Sequence, residues 1–198
     1  MKGRRSDNDT PSLILDVAER LVQSRGFNAF SYADVATELG ITKPALHYHF
    51  AGKAELGDAL VARYTARFND ALSGIDDEYA DGRSKLEAYA DLYAQVLAQE
   101  RMCLCGMLAA DFPTLPPAMR DGVVRFFDGN ETWLSHVLDQ GRRDRTLRCP
   151  GSSRDGARMI IDALEGAMLV ARPYADVARF RTTAQRLIAN FTPKTAAR

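Results

Sequence analysis

The sequence has no apolar run approaching the roughly 18 residues needed to cross a membrane, and its charged start leads into no short apolar segment with a cleavage site. These two absences make a cytoplasmic protein, without membrane association, the expectation. Strict apolar–polar alternation is also missing, which argues against the half-buried strands of a β-protein. Cysteine is scarce and odd in number, so Cys103, Cys105 and Cys149 make no disulfide framework and are read as reduced thiols. Cys103 and Cys105 lack the C-x-x-C spacing of zinc and redox sites. His47 and His49, two positions apart, would point about 200° away from each other on a helix and are poorly placed to share a metal ion. Neither a metal nor an organic cofactor is expected. An excess of one charge is absent as well, since 26 Lys and Arg balance 26 Asp and Glu. The balance holds locally: over residues 1–53, Lys2, Arg4, Arg5, Arg20, Arg25, Lys43 and Lys53 face Asp7, Asp9, Asp16, Glu19, Asp34 and Glu38. Bulk charge therefore announces no nucleic-acid partner.

What is present is apolar residues at helical spacing, and 46% hydrophobic residues in 198 suffice for real cores. After an arm over 1–9 carrying Lys2, Arg4 and Arg5, Thr10 and Pro11 read as the cap and first residue of a helix. Leu13, Ile14, Val17, Leu21 and Val22 carry it to Gly26. Beyond Lys53 a stripe of Leu56, Leu60, Val61, Tyr64 and Phe68 runs to a polar break over 73–82. Leu86, Tyr89, Tyr93, Val96 and Leu97 predict a helix over 83–101, and MCLCGMLAA over 102–110 a short buried one. A long stripe from Met119 to Leu138 follows, ending in Arg142, Arg143 and Arg145. Two more helices carry Met159, Ile160, Ala163, Leu164, Ala167, Met168 and Ala171, then Val177, Phe180, Ala184, Leu187, Ile188 and Phe191. The class is all-α with about nine helices: a headpiece over 10–53, a larger body over 54–193 and a tail over 194–198.

The stretch from Phe27 to Lys53 is the most specific. Ser31 and Asp34 have the spacing of a capping box ahead of a helix starting at Tyr32, with Ala33, Val35, Ala36 and Leu39 inward. Gly40 permits a left-handed helix end, Ile41 plugs the core, and Thr42 caps a second helix beginning Lys43–Pro44. That helix turns Ala45 and Leu46 inward and offers Lys43, His47 and Tyr48 outward, groups able to reach phosphates and base edges. His49 is expected to be half-buried. Two helices joined by a tight turn form a helix-turn-helix, which would place double-stranded DNA among the partners.

From Ile14 to Leu60, through ILDVAERLVQSRGF, SYADVATELGITKPALHYHF and the K-x-x-L beginning at Lys53, the chain resembles the DNA-binding domain of the TetR family of bacterial repressors. The resemblance implies a homodimer on a palindromic operator, released when the C-terminal domain binds a small inducer. It also implies DNA contacts from Ser31 and Tyr32, from Thr42, Lys43, Pro44, Ala45, His47 and Tyr48, and from Lys53 as a phosphate contact. Here the order His47-Tyr48-His49 departs from the family's frequent Tyr-His-His or Tyr-Tyr-His, so base preference does not carry over. The C-x-x-G-x-L-A of Cys103 to Ala109 and the A-L-E-G-A-x-L of Ala163 to Leu169 look like a subgroup that responds to electrophiles through the cysteine at Cys103.

In the body, Tyr89, Tyr93, Phe126, Asn130 and Trp133, with Cys103, are candidates for a ligand pocket, or alternatively core aromatics. Cys103 is either an inert buried thiol or a nucleophile whose pKa Arg101 lowers. Ala163, Gly166, Ala167, Leu187 and Phe191 on the last two helices suit a twofold interface. An all-α enzyme built on the Cys103 thiol stands as the alternative function.

Overall fold

The computed structural model describes residues 10–193; the basic arm and the tail over 194–198 lie outside the described residues. Among the described residues there are nine α-helices and no strand. They are α1 (Thr10–Arg25), α2 (Tyr32–Leu39), α3 (Lys43–His49), α4 (Lys53–Glu78), α5 (Gly82–Ala98), α6 (Leu104–Ala110), α7 (Pro117–Arg143), α8 (Ser153–Ala171) and α9 (Val177–Phe191). No helix among these is long and apolar enough to cross a membrane.

The chain divides into two compact units. The first comprises the chain up to Ala66 together with Leu104–Val124, so it extends past residue 53, where the sequence changes character. It takes in α6 and the start of α7 as well as α1 to α3. Its core gathers Ile14, Leu21 and Val22 from α1, Val35 and Ala36 from α2, Leu46 from α3, and Leu56 and Leu60 from α4. Asp111, just past α6, accepts hydrogen bonds from the backbone N–H of Phe27 (2.8 Å) and Asn28 (3.4 Å), holding the entry to α2. Arg63 ties α4 to α1 through Asp16 (2.8 Å) and Glu19 (3.0 Å).

The second unit comprises Arg67–Cys103 and Arg125–Arg198. In it α9 packs on α5 and α8, and α5 packs on α8. Leu86, Tyr89, Phe126, Leu134, Ile160, Leu164, Phe180 and Ile188 fill the interior. Lys85 is buried because its amine reaches Asp76 (2.7 Å) and Gln140 (3.1 Å).

Several boundaries differ from those the sequence suggests. The break placed at residue 73 falls six residues later, because one Ser–Gly pair is too little to end a helix that still buries Leu72 and Ile75. The next helix restarts where Asp81 accepts from Ser84 N–H at 2.9 Å. It ends at Ala98, since Glu100 adopts a left-handed backbone. Thr10, expected as a cap, is the first residue of α1. Ile41 is half-buried instead of plugging the core, and Met159, expected inward, is 52% exposed.

Candidate functional site

The segment α2–turn–α3 is built from short-range chemistry. The Ser31 hydroxyl accepts from Asp34 N–H, while the Asp34 carboxylate accepts from Ser31 N–H at 2.6 Å, closing the capping box. The Ser31 hydroxyl and backbone hold that carboxyl below its usual range. Gly40 has φ +66°, a left-handed conformation, and its N–H and that of Ile41 return to α2 carbonyls. Thr42 caps α3 by accepting from Ala45 N–H at 3.2 Å, with Pro44 in the first turn. One turn of α3 is thereby aligned without help from distant residues.

Long-range contacts then lock the inner side of α3. Leu46 is fully buried, and the Tyr32 hydroxyl donates to the carbonyl of Phe50 at 3.0 Å. Burial, reinforced by Glu55, pushes the Tyr32 phenol up to about 12, so it remains a donor at any working pH. The Tyr32 ring lies 4.7 Å from the ring of His47, whose Nδ1 is 3.0 Å from the Ala51 carbonyl. Lys53, expected on a phosphate, donates to the Phe30 carbonyl in the free protein. Its ammonium lies 4.7 Å from the centre of the Phe27 ring and 4.3 Å from that of Phe30. Burial lowers its pKa. Sequence reasoning missed this clasp, although the aromatic pair Phe27 and Phe30 ahead of a lysine was its signal.

The expected DNA-contacting residues therefore divide. Lys43, Pro44 and Tyr48 are exposed on α3, Tyr48 by 86%. Ser31 and Thr42 are exposed but have their hydroxyls committed to caps. Tyr32, Ala45 and Lys53 are half-buried, and His47 is exposed with one ring nitrogen engaged. His49 is half-buried as expected.

In the second unit, the aromatic and polar candidates converge on a tight cluster. Tyr89, Tyr93, Cys103, Phe126 and Asn130 are all at most 3% exposed. Tyr89 donates to Asn130 Oδ1 at 3.0 Å, and the Tyr93 hydroxyl lies 3.1 Å from that of Tyr89. Asn130 Nδ2 donates to the Phe126 carbonyl at 2.8 Å. Trp133 stacks on Tyr89 with ring centres 5.6 Å apart and donates from Nε1 to Asp76 at 2.8 Å. Burial raises both tyrosine pKa values, so both phenols stay protonated. The Cys103 thiol donates to the carboxyl of Glu165 on α8, which burial raises to about 7. The polar partner given to Cys103 is thus an acid from 62 positions along the chain, in place of the expected Arg101; no local spacing signals it.

A separate groove of about 510 Å³ lies between α5 and α9, lined by Arg83, Asp91, Phe180, Arg181, Gln185 and others. None of the expected pocket residues lines it. Of the residues expected at a twofold interface, Phe191 is 2% exposed and packs inside its own chain. Ala163, Ala167 and Leu187 are half-buried and Gly166 is exposed, with open space where a Cβ would stand.

A capped, short helix presented on its outer side by a three-helix core defines the class: a helix-turn-helix DNA-binding regulator. A family model described as bacterial regulatory proteins of the tetR family matches residues 14–60. A TetR transcriptional regulator from Legionella pneumophila is 31% identical, covers 97% of this chain and 100% of its own, and superposes with TM-score 0.85. A TetR-family regulator from Agrobacterium tumefaciens is 28% identical with TM-score 0.91, covering 95% and 100%. The HTH-type transcriptional repressor NemR of Escherichia coli K12 is 24% identical over 176 residues, 85% of this chain and 87% of that protein. The chain belongs to the TetR family. It is a transcriptional regulator, and membership sets aside the enzyme alternative.

Proposed function

We propose that this regulator is a cytoplasmic repressor which binds a palindromic operator as a homodimer and leaves it when a small molecule acts on the second unit. The observation that carries the DNA reading is the 86% exposure of Tyr48 on a helix whose opposite side is pinned by Leu46, Tyr32 and the Thr42 cap. A rigid helix presents Lys43 to a phosphate and Tyr48 to a base edge or thymine methyl with little ordering cost. Two copies would need their α3 helices about 34 to 36 Å apart, or somewhat farther, to meet successive major grooves. Dimerisation is supported by Met159, Ala163, Gly166 and Val170, which share one stripe of α8, with Leu169 (61% exposed) alongside.

The effector we favour is a neutral, soft electrophile acting at Cys103. The subgroup motif around Cys103 supports this, as does its place among polar groups in an otherwise apolar interior. Release requires the modified or liganded protein to favour the non-binding conformation.

Titration of the protein onto its own upstream DNA tests the reading. A salt-sensitive, sequence-specific complex is expected, weakened roughly tenfold by Lys43→Ala across all sequences. N-ethylmaleimide should dissolve the wild-type complex and spare that of Cys103→Ser. Absence of any specific complex would overturn the repressor reading, and equal release from Cys103→Ser would overturn the electrophile.

A further inference from the structure

Two acids share a water-poor place in the second unit: the thiol of Cys103 and the carboxyl of Glu165. The stem of Glu165 reaches the surface of α8, but its Oε1 is closed off from solvent and has no hydrogen-bond partner. The other carboxyl oxygen takes the Cys103 thiol. One turn farther along α8, Met168 Sδ lies 3.3 Å from the backbone nitrogen of Cys103, so this face of the helix is fitted against the backbone that carries the thiol.

The remaining polar groups are already committed. Tyr89 has a single hydroxyl proton and gives it to Asn130, which leaves Tyr93 to donate to the Tyr89 oxygen. Asn130 spends its amide on Phe126. The titratable groups that bear on Glu165 are Tyr89 and Tyr93 from α5, whose phenols burial keeps protonated, and the Cys103 thiol ahead of α6. Nothing in this set pairs Glu165 as an ion would be paired in a structural salt bridge. An enclosed carboxyl with one oxygen on a thiol and one unpartnered is instead arranged to receive a proton.

We infer that Glu165 is the proton acceptor and donor for addition of Cys103 to neutral conjugated carbonyl compounds. This inference rests on the reading of Cys103 as the reactive thiol. As Cys103 Sγ bonds to the β-carbon, the S–H bond breaks and its proton passes to Glu165. The π pair of the alkene moves to give an enolate. Glu165 then returns the proton to the α-carbon, so one S–C and one C–H bond replace one S–H bond and one C–C π bond. The carboxylate is restored, and no oxidant or reductant enters.

The geometry also selects the reagent. A carboxylate beside the thiol opposes a free thiolate, so attack must be coupled to proton transfer instead of following ionisation. Burial at 2% exposure and the adjacent acid both disfavour anionic electrophiles. With Glu165 raised to about 7, both the accepting carboxylate and the donating acid are present at neutral pH.

The test measures the rate at which N-ethylmaleimide labels Cys103 in the full chain, read by peptide mass mapping across a pH series. In the wild type the rate should rise with a midpoint near 7. In Glu165→Gln, an isosteric change, the midpoint should move to the ordinary thiol range of about 8.5, with at least about a tenfold loss of rate at neutral pH. Glu165→Asp, which keeps the acid on a shorter stem, should recover part of that rate. A wild-type midpoint in the ordinary thiol range overturns the inference without recourse to any variant. So does an unchanged Glu165→Gln profile, or no labelling at Cys103 at any pH. Because labelling is read without DNA, a specific operator complex together with Glu165-independent labelling sinks this inference alone. Glu165-dependent labelling in a protein that binds no operator sinks the repressor reading alone.

Discussion

The α2–α3 segment and the buried cluster around Tyr89 are both assembled from polar side chains, yet they are held by opposite means. In the first, the caps and the outer side are set by partners three or four residues apart: Ser31 with Asp34, Thr42 with Ala45, His47 with Ala51. In the second they come from far along the chain: Tyr89 with Asn130, Trp133 with Asp76, Cys103 with Glu165. The first leaves its outer side in water, where a side chain can be exchanged at little cost to the fold. The centre of the second, at Tyr89, Tyr93 and Asn130, is closed to water, so its donors must find their acceptors within the protein. A surface that reads DNA can therefore be rigid and replaceable at once, whereas a buried polar cluster is rigid because it is irreplaceable.

That contrast can be broken by substitution. The largest effect on stability is expected from Asn130→Ala, which leaves the Tyr89 hydroxyl without its acceptor and opens a cavity; calorimetric or denaturant unfolding should show a loss of about 3 kcal/mol. If the loss is under about 1 kcal/mol, the cluster is not a buried keystone of the fold.

A comparable but pH-gated effect belongs to Glu165. Unfolded, its carboxyl ionises near 4.5; folded, burial raises this to about 7. Between those values the native state holds a proton that the unfolded state has lost. The contribution to stability is therefore full below 4.5 and is lost as pH rises to about 7, by on the order of 3 kcal/mol at most. Denaturation midpoints followed over this window should fall in the wild type, and Glu165→Gln should remove that part of the fall.

On the other side of the comparison, Tyr48→Ala should change unfolding by no more than about 0.5 kcal/mol while altering which operator sequences are preferred, by about 1 to 3 kcal/mol at the affected base pair. Binding-site selection with both proteins checks this; an identical preference would remove Tyr48 from base readout. The smallest effect is expected from Tyr32→Phe, which keeps the ring on His47 and loses only the bond to the Phe50 carbonyl, about 1 kcal/mol of stability, with preference among operators unchanged.

Lys53 marks where the two regimes meet. The family resemblance implied a phosphate contact from this residue at the start of α4; what the fold adds is that Phe27 and Phe30, more than twenty positions earlier, draw its ammonium over their rings and onto a backbone carbonyl. Phe191 and Met159 exchanged roles in the same way. Both fit helical stripes, but only packing decides which apolar residue of a broad stripe turns inward, and Phe191 is the one enclosed. The α4 break was misplaced because Ser73 and Gly74 weaken a helix locally while buried neighbours on either side sustain it.

The sequence by itself determined the all-α class, the two capped helices with their glycine turn, and the outward residues Lys43 and Tyr48, because these rest on hydrogen bonds and periodicities spanning four residues or fewer. Only the tertiary structure decided the partners of Lys53, the closed chain from Tyr93 to Asn130, and the meeting of Cys103 with Glu165. Those depend on which helix faces which, and burial then fixes the protonation and hydrogen bonds of whatever polar groups are enclosed.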